Sequence, residues 1–142
     1  MLTSDDRWAI NDLISQFDWA VDTGDADAWV STFIEDGVFE SVLVGRHEGH
    51  AAIRKLHAAL WSRPDYRAWV GGQHRVTNVR VISQTETSAE LHSNWIVVSV
   101  VDDDGKAAVT LTGDYNDHVV KEQGAWRFKS RKVLPAIPAN EK

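Results

Sequence analysis

The sequence contains no cysteine, which excludes disulfides, thiolate nucleophiles and cysteine-based zinc or iron–sulfur sites. It has no apolar run approaching the roughly 18 residues of a membrane-spanning helix, and its first residues lack the basic and apolar regions of a signal peptide. Basic residues are also few, 15 Lys and Arg against 21 Asp and Glu, which disfavours nucleic acid as a partner. We therefore expect a cytoplasmic protein with neither a membrane nor a nucleic acid as partner.

Hydrophobic residues, by contrast, make up 43% of the 142 residues, and seven of them are Trp. A chain of this length and composition predicts one domain, residues 1–142, around one apolar core. Proline is scarce, with three in the chain, and two of these, Pro135 and Pro138, fall near the end. Because proline cannot donate to a strand ladder, we expect residues 135–142 to form a loose tail.

The first half of the chain reads as helical. Thr3 or Ser4 caps a predicted helix that runs to about Val21, with an apolar stripe at three- and four-residue spacing. Thr23 and Gly24 break it, and Asp25 caps a short second helix that extends through Trp29 and Phe33. A turn at 35–37, a strand at 38–44, a loop at 45–49 and a third helix at about 51–61 follow.

The second half reads as strands. Alternating and β-branched segments predict four long strands at roughly 68–83, 89–101, 107–121 and 125–134. The short connections at 103–105 and 122–124 are rich in Asp and Gly, which favours antiparallel hairpins. Helices first and strands afterwards predict an α+β domain with its helices on one face of an antiparallel sheet.

The order of several short motifs resembles the SnoaL-like group of the nuclear-transport-factor-2-like superfamily, close in pattern to the scytalone dehydratases. The resemblance covers nearly the whole chain. Each motif alone is weak, but their order is specific. The motifs are Ile10-Asn11-Asp12-Leu13-Ile14, Val21-Asp22-Thr23-Gly24-Asp25, Phe33-Ile34-Glu35-Asp36-Gly37-Val38-Phe39, Gly45-Arg46-His47-Glu48-Gly49, Gln73-His74-Arg75-Val76-Thr77-Asn78, Gly113-Asp114-Tyr115-Asn116-Asp117 and Gly124-Ala125-Trp126-Arg127-Phe128.

This resemblance implies a cone-shaped α+β barrel, in which a strongly curved sheet wraps the N-terminal helix and encloses a deep pocket. It also implies a homodimer or higher homo-oligomer and a small hydrophobic molecule as partner. The superfamily includes dehydratases, dehydrochlorinases, isomerases, epoxide hydrolases and non-catalytic binders, so the fold alone does not assign the reaction.

Asp22 and His74 are the candidate catalytic residues. Asp22 lies at the predicted C-terminal end of the first helix, where the helix dipole disfavours a negative charge. His74 lies on a predicted strand, and a histidine suits proton transfer when a carboxylate fixes its tautomer. The resemblance implies this pairing, since enzymes of the group carry an Asp that orients a catalytic His. Ordinary structural roles for both residues remain open.

Further residues are candidates for lining the pocket. His92 and Trp95 fall on opposite faces of one predicted strand, and alternation does not decide which face meets the cavity. Tyr115 could polarise a substrate oxygen with its hydroxyl. Phe17 and Trp61, together with Trp19, Trp29 and Trp69, would make an aromatic lining, although plain core packing explains each of them separately.

No cofactor is expected. The segment His47-Glu48-Gly49-His50 lacks the spacing of a helical zinc site, and no glycine-rich phosphate loop follows a strand. The resemblance and the Asp22–His74 pair that it implies predict a cofactor-independent lyase of the elimination or dehydratase type, acting on a small hydrophobic substrate of aromatic or polycyclic character. An isomerase of the ketosteroid-isomerase type and a non-catalytic binding or dimerisation module are the alternatives.

Overall fold

The computed structural model describes residues 1–64 and 72–136. The predicted beginning of the strand at 68–83, Trp69 included, and the predicted loose tail from residue 137 onward lie outside the described residues. No helix among the described residues is long and apolar enough to cross a membrane.

Helix α1 spans Ser4–Thr23 and lies across the sheet. Thr3 caps it as predicted, because its hydroxyl accepts from the backbone N–H of Asp6 while the Asp6 carboxylate accepts from the backbone of Thr3. Gly24 ends it in the left-handed conformation, with φ +72°. Its buried face carries the predicted stripe, which includes Ile10, Leu13, Ile14 and Phe17.

Two shorter helices cover the same side of the sheet. Asp25 caps α2, Ala26–Ser31, by accepting from the N–H of Ala28. The predicted extension of this helix to Phe33 was wrong, because Phe33 already belongs to the first strand. Helix α3 spans His50–Trp61, one residue longer than predicted.

In the described part of the chain, six strands form one curved sheet in the order β2-β1-β6-β5-β4-β3. The four long strands predicted in the second half are confirmed within the described residues. The strands are β1 Phe33–Ser41, β2 Gly45–Glu48, β3 Gln73–Gln84, β4 Ser88–Val100, β5 Ala107–Glu122 and β6 Ala125–Pro135.

Three expectations about the sheet were wrong. First, the sheet is mixed, because β1 pairs in parallel with β6 and a register shift between Phe33 and Val38 absorbs the predicted turn residues. Second, the predicted loop at 45–49 contains β2, which pairs with β1. Third, the ladder continues past Leu134, since the N–H of Ala136 donates to the carbonyl of Thr112. A proline is tolerated at position 135 because the ladder uses the N–H of the next residue, Ala136, as its donor.

The core lies between α1 and the concave side of the sheet. Aromatic rings surround Phe17, with Trp29, Phe33, Phe39, Tyr115 and Phe128 at centroid distances of 5.7 to 6.3 Å. The sheet stays open, because within the described residues no ladder joins β2 to β3. The α+β fold is therefore confirmed, as helices held in a curved but unclosed sheet.

Candidate active site

The last turn of α1 meets the beginning of β3 through Asp22 and His74. The Nδ1 of His74 lies 2.6 Å from Oδ1 of Asp22, and the backbone N–H of His74 donates to Oδ2 at 3.0 Å. The carboxylate therefore fixes both the backbone and the ring of one residue. With Nδ1 hydrogen-bonded to a carboxylate, Nε2 is the ring nitrogen left to exchange a proton with a ligand.

The position of β3 leaves the backbone N–H of His74 free to donate to Asp22. Among the described residues β3 is the last strand of the sheet, so on one side its backbone N–H groups have no neighbouring strand there. The N–H of His74 uses the helix-borne carboxylate as its acceptor instead. Both side chains are mostly buried, with 9% of His74 and 15% of Asp22 exposed.

His74 also lines an apolar pocket of about 460 Å³ between the helices and the sheet. The lining includes three of the predicted pocket residues, Phe17, Trp95 and Tyr115. Most of the other side chains are aliphatic or aromatic, and they include Trp29, Phe39, Leu60, Leu111 and Val133. A cavity of this size and character suits a small ring-bearing molecule.

Trp95 lies between His74 and Tyr115 on the pocket wall. Its ring centroid is 6.0 Å from that of His74 and 5.8 Å from that of Tyr115. Its indole N–H donates to the carbonyl of Asp114, so the ring presents only its carbon face to the pocket. Gly113 permits this placement, because a Cβ there would lie 2.6 Å from the indole ring.

His92 does not line this pocket, and that expectation was wrong. It lies on the opposite face of β4, where 47% of its side chain is exposed and Nε2 is 3.9 Å from a carboxylate oxygen of Asp114. Alternation along a strand sends Trp95 and His92 to opposite faces, and burial selects the Trp95 face as the inner one.

Trp61 is also absent from the lining of the pocket. It stacks on His57 at 5.9 Å and packs over Gly24, so it seals the junction of α1 and α3. Among the other expected aromatic residues, Trp29 lines the pocket, whereas Trp19 points to solvent with 71% of its surface exposed.

Asp18 is a buried acid that the sequence analysis missed. It lies one helical turn before Asp22, and its carboxylate accepts a hydrogen bond from the hydroxyl of Tyr115 at 3.4 Å. Burial raises the pKa of Asp18 to about 6, although the charges of Arg131 and His74 act in the opposite direction. Burial and the Asp18 charge also raise the pKa of Tyr115, so this hydroxyl keeps its proton and serves as a donor.

An ion pair between Arg131 and Asp117 lies on the other side of Tyr115. The guanidinium donates to both oxygens of Asp117, at 2.8 and 3.0 Å, and neither side chain is exposed. The Cζ atom of Arg131 lies 3.7 Å from the centroid of the Tyr115 ring. Burial opposes the charge on Arg131, but the surrounding groups, Asp117 first and then Tyr115 and Asp18, together outweigh burial and raise the pKa of the guanidinium.

A bulge in β6 brings Arg131 inside. His118 pairs with Ser130 and Val119 with Phe128, so Lys129 is an extra residue in the strand. Buried residues accordingly fall at Trp126 and Phe128 and then at Arg131, instead of every second position. Regular alternation would have placed Ser130 inside, and no sequence signal marks this bulge.

The two histidines weighed as metal ligands have backbone partners. His47 Nε2 lies 2.7 Å from the carbonyl oxygen of Val44, and His50 Nε2 lies 2.8 Å from that of Phe33. In residues 1–64 and 72–136, no three His, Asp or Glu side chains come together in a way that could hold a metal ion.

The model of the SnoaL-like domain matches residues 3–132. The chain belongs to this family. No curated protein matches it in sequence. Solved structures similar to this family member include a hexachlorocyclohexane dehydrochlorinase, LinA-type3, from Novosphingobium barchaimii, at 18% identity and a TM-score of 0.74. The match covers 92% of this chain and 86% of that one.

Two further structures from Novosphingobium aromaticivorans are similar to this SnoaL-like chain. A provisionally assigned scytalone dehydratase has 21% identity and a TM-score of 0.72, and the match covers 92% of this chain and 84% of that one. A provisionally assigned aromatic ring hydroxylase has 27% identity and a TM-score of 0.78, and the match covers 96% of this chain and 92% of that one. The predicted resemblance to the SnoaL-like and scytalone dehydratase-like proteins is therefore confirmed at the level of the fold.

Proposed function

We propose that this protein is a cofactor-independent lyase that removes a proton and a leaving group from a small apolar, ring-bearing substrate. The observation that carries the proposal is the 2.6 Å contact between Asp22 and His74 at the wall of an apolar pocket. A histidine held in one tautomer by a carboxylate, beside a cavity that excludes most water, has the arrangement of a general base.

In the proposed reaction, Nε2 of His74 takes a proton from a substrate carbon, and Asp22 stabilises the imidazolium that forms. The electron pair of the broken C–H bond becomes the new double bond as the leaving group departs. Tyr115 lines the same pocket and could donate a hydrogen bond to a substrate oxygen that gains charge. Two of the similar structures are named for eliminations, one as a dehydrochlorinase and one provisionally as a dehydratase, which supports a lyase.

Hydroxylation, the reaction named for the third similar structure, is less well supported by the site. Hydroxylation moves electrons, whereas an Asp–His pair moves protons. Isomerisation remains the second candidate, because a base and a hydroxyl donor facing one cavity could also relocate a proton within a substrate. The mass of the product separates the two, since an isomerase keeps every heavy atom of its substrate and an eliminating enzyme releases one fragment.

The first test compares His74→Gln, Asp22→Asn and the double variant on a set of cyclic ketones that carry a β leaving group. We expect each single variant to lower kcat by roughly a hundredfold or more, in line with the loss of a general base. The double variant should be little worse than the worse single variant, because the two residues act as one unit.

His92→Gln is the matched control, since it makes the same change on the exposed outer face of β4. It should leave kcat within about twofold, as expected of a surface substitution away from the site. If the folded double variant keeps the wild-type rate, the catalytic assignment is wrong. The chain would then be a binding or dimerisation module, which ligand co-purification and the solution mass would test. A homodimer with a small hydrophobic ligand remains our expectation in either case.

A further inference from the structure

A second depression lies on the other side of the Asp22–His74 pair. It occupies about 400 Å³ between α1 and the beginning of β3, and Asn11, Ser15, Asp18, Asp22 and His74 are among its lining residues. We call it the polar groove. Of the two acids on this face of α1, Asp18 is the one whose carboxylate also accepts from Tyr115.

Tyr115 connects this groove with the apolar pocket. Its side chain lines the pocket, and its hydroxyl donates to Asp18, which lines the groove. The contact of 3.4 Å is long, so it holds the hydroxyl weakly. A continuous path therefore runs from the groove through Asp18 and Tyr115 to the pocket, on the side of Trp95 away from His74.

We propose that Asp18 and Tyr115 form a proton relay that delivers a proton from the polar groove to an oxygen atom of a substrate in the apolar pocket. This inference rests on the lyase function proposed above and names its leaving group, a hydroxyl that departs as water. Hydroxide is a poor leaving group until it is protonated, whereas a halide departs as the anion and needs no proton.

The step balances in atoms and charge. Tyr115 passes its hydroxyl proton to the leaving oxygen while protonated Asp18 passes its own proton to Tyr115. The C–O electron pair leaves with the oxygen as water, and the C–H pair forms the double bond. His74 has gained one proton and Asp18 has lost one. Both side chains line the polar groove, so water there returns the protons to their starting positions.

The charges around Asp18 keep its proton within reach near neutrality. Arg131 on β6 and His74 on β3 favour the carboxylate, while burial and Asp22 favour the neutral acid, and Tyr115 on β5 donates to it. With a pKa of about 6, roughly a tenth of Asp18 is protonated at pH 7 and about half at pH 6. Tyr115 alone cannot supply the proton, because burial raises its pKa well above the usual value.

The decisive experiment uses two matched compounds, a cyclic β-hydroxy ketone and its β-chloro analogue, with the variants Asp18→Asn and Tyr115→Phe. The Asn side chain keeps an oxygen that can accept from Tyr115 but has no acidic proton. We expect both variants to lower kcat on the hydroxy compound by roughly tenfold to a hundredfold, as for loss of a general acid. On the chloro compound, whose leaving group needs no proton, we expect a clearly smaller loss, so that the ratio of kcat on the hydroxy compound to kcat on the chloro compound falls in both variants.

Asp12→Asn is the matched control, because it makes the same change at an exposed position of the same helix. His74→Gln should lower kcat on both compounds. If His74→Gln does so while Asp18→Asn lowers kcat equally on both compounds, or on neither, the relay is wrong and the proposed lyase function is unaffected. If His74→Gln lowers neither, the proposed lyase function itself fails.

A measurement without substrate tests the relay independently. Carbon NMR of Asp-labelled protein should show one carboxyl, absent in Asp18→Asn, that titrates near pH 6. Removing the Tyr115 hydroxyl should raise its midpoint, because that hydrogen bond favours the carboxylate. A carboxyl that stays ionised down to pH 4, or a midpoint that Tyr115→Phe leaves unchanged, would overturn the relay.

Discussion

Two acid–base pairs of similar geometry occupy different surroundings in this protein. Asp22 contacts His74 at 2.6 Å, and Asp117 contacts Arg131 at 2.8 Å. The first pair is partly exposed and lies between two cavities, whereas the second is fully enclosed beneath the aromatic rings of Phe17, Tyr115 and Phe128. Short contacts therefore do not distinguish a reactive pair from a structural one. Access to a ligand and to solvent does.

The largest expected difference between the pairs is in stability. Asp117→Asn leaves the charge of Arg131 buried without its carboxylate, which should lower the free energy of unfolding by about 3–5 kcal/mol. Asp22→Asn should cost less than about 1.5 kcal/mol, because the neutral imidazole leaves no unpaired buried charge and the amide oxygen still accepts from the N–H of His74. Urea unfolding at pH 7 measures both. Equal losses would show that exposure does not separate the two pairs.

Asp18 belongs to neither pair, and its titration should appear in the pH dependence of the free energy of unfolding. Its pKa is about 6 in the folded protein against an ordinary 3.8, so the unfolded chain releases this proton first as the pH rises. The contribution of Asp18 is therefore most favourable below about pH 4 and is lost as the pH rises through 6. The difference corresponds to about 3 kcal/mol, as an order of magnitude.

Urea unfolding of the wild type and Asp18→Asn at pH 4, 5, 6 and 7 checks this directly. The variant should gain stability relative to the wild type across that range. Comparison with the variant removes the contributions of other acids, such as Asp6. That carboxylate has a lowered pKa because it accepts from the backbone of Thr3, from Trp126 and from Lys121, so its contribution is lost as the pH falls. A difference that does not change with pH would mean that Asp18 titrates normally.

The smallest expected effect concerns the ring that separates His74 from Tyr115. Gly113→Ala would place a Cβ 2.6 Å from the indole of Trp95 and still closer to the carbonyl oxygen of Leu134, which should cost about 1–3 kcal/mol through overpacking and displace the ring. Tryptophan fluorescence and thermal unfolding report the change. Adding Trp95→Phe should recover part of the loss. If the double variant is no more stable than Gly113→Ala alone, the close approach to Trp95 is not the cause.

The sequence predicted the elements whose patterns are local. The apolar stripe of α1, the capping by Thr3 and Asp25 and the four long strands follow from spacing and turn residues. The pairing of Asp22 with His74 came from a family resemblance, because no local pattern relates positions 52 residues apart.

The residues that the sequence analysis missed depend on non-local geometry. Arg131 is inside because Lys129 is an extra residue in β6, and the hydrogen-bond partner of the buried Asp18 is Tyr115, from a distant strand. The alternation of side chains along β4 placed His92 and Trp95 on opposite faces of the sheet. It did not decide which face lines the pocket, because that depends on where α1 packs. The parallel pairing of β1 with β6 joins the first described strand of the chain to the last and has no local signal either.

The bond from the N–H of His74 to Asp22 has a consequence beyond the proposed chemistry. An edge strand with free N–H groups is a template on which other chains can add strands and aggregate. By occupying one of these groups with a side chain of α1, the protein uses the same carboxylate to orient a base and to block one end of an exposed edge. A descendant that lost Asp22 while drifting toward a new activity would therefore have to protect this edge by other means, and colloidal stability would constrain which replacements survive.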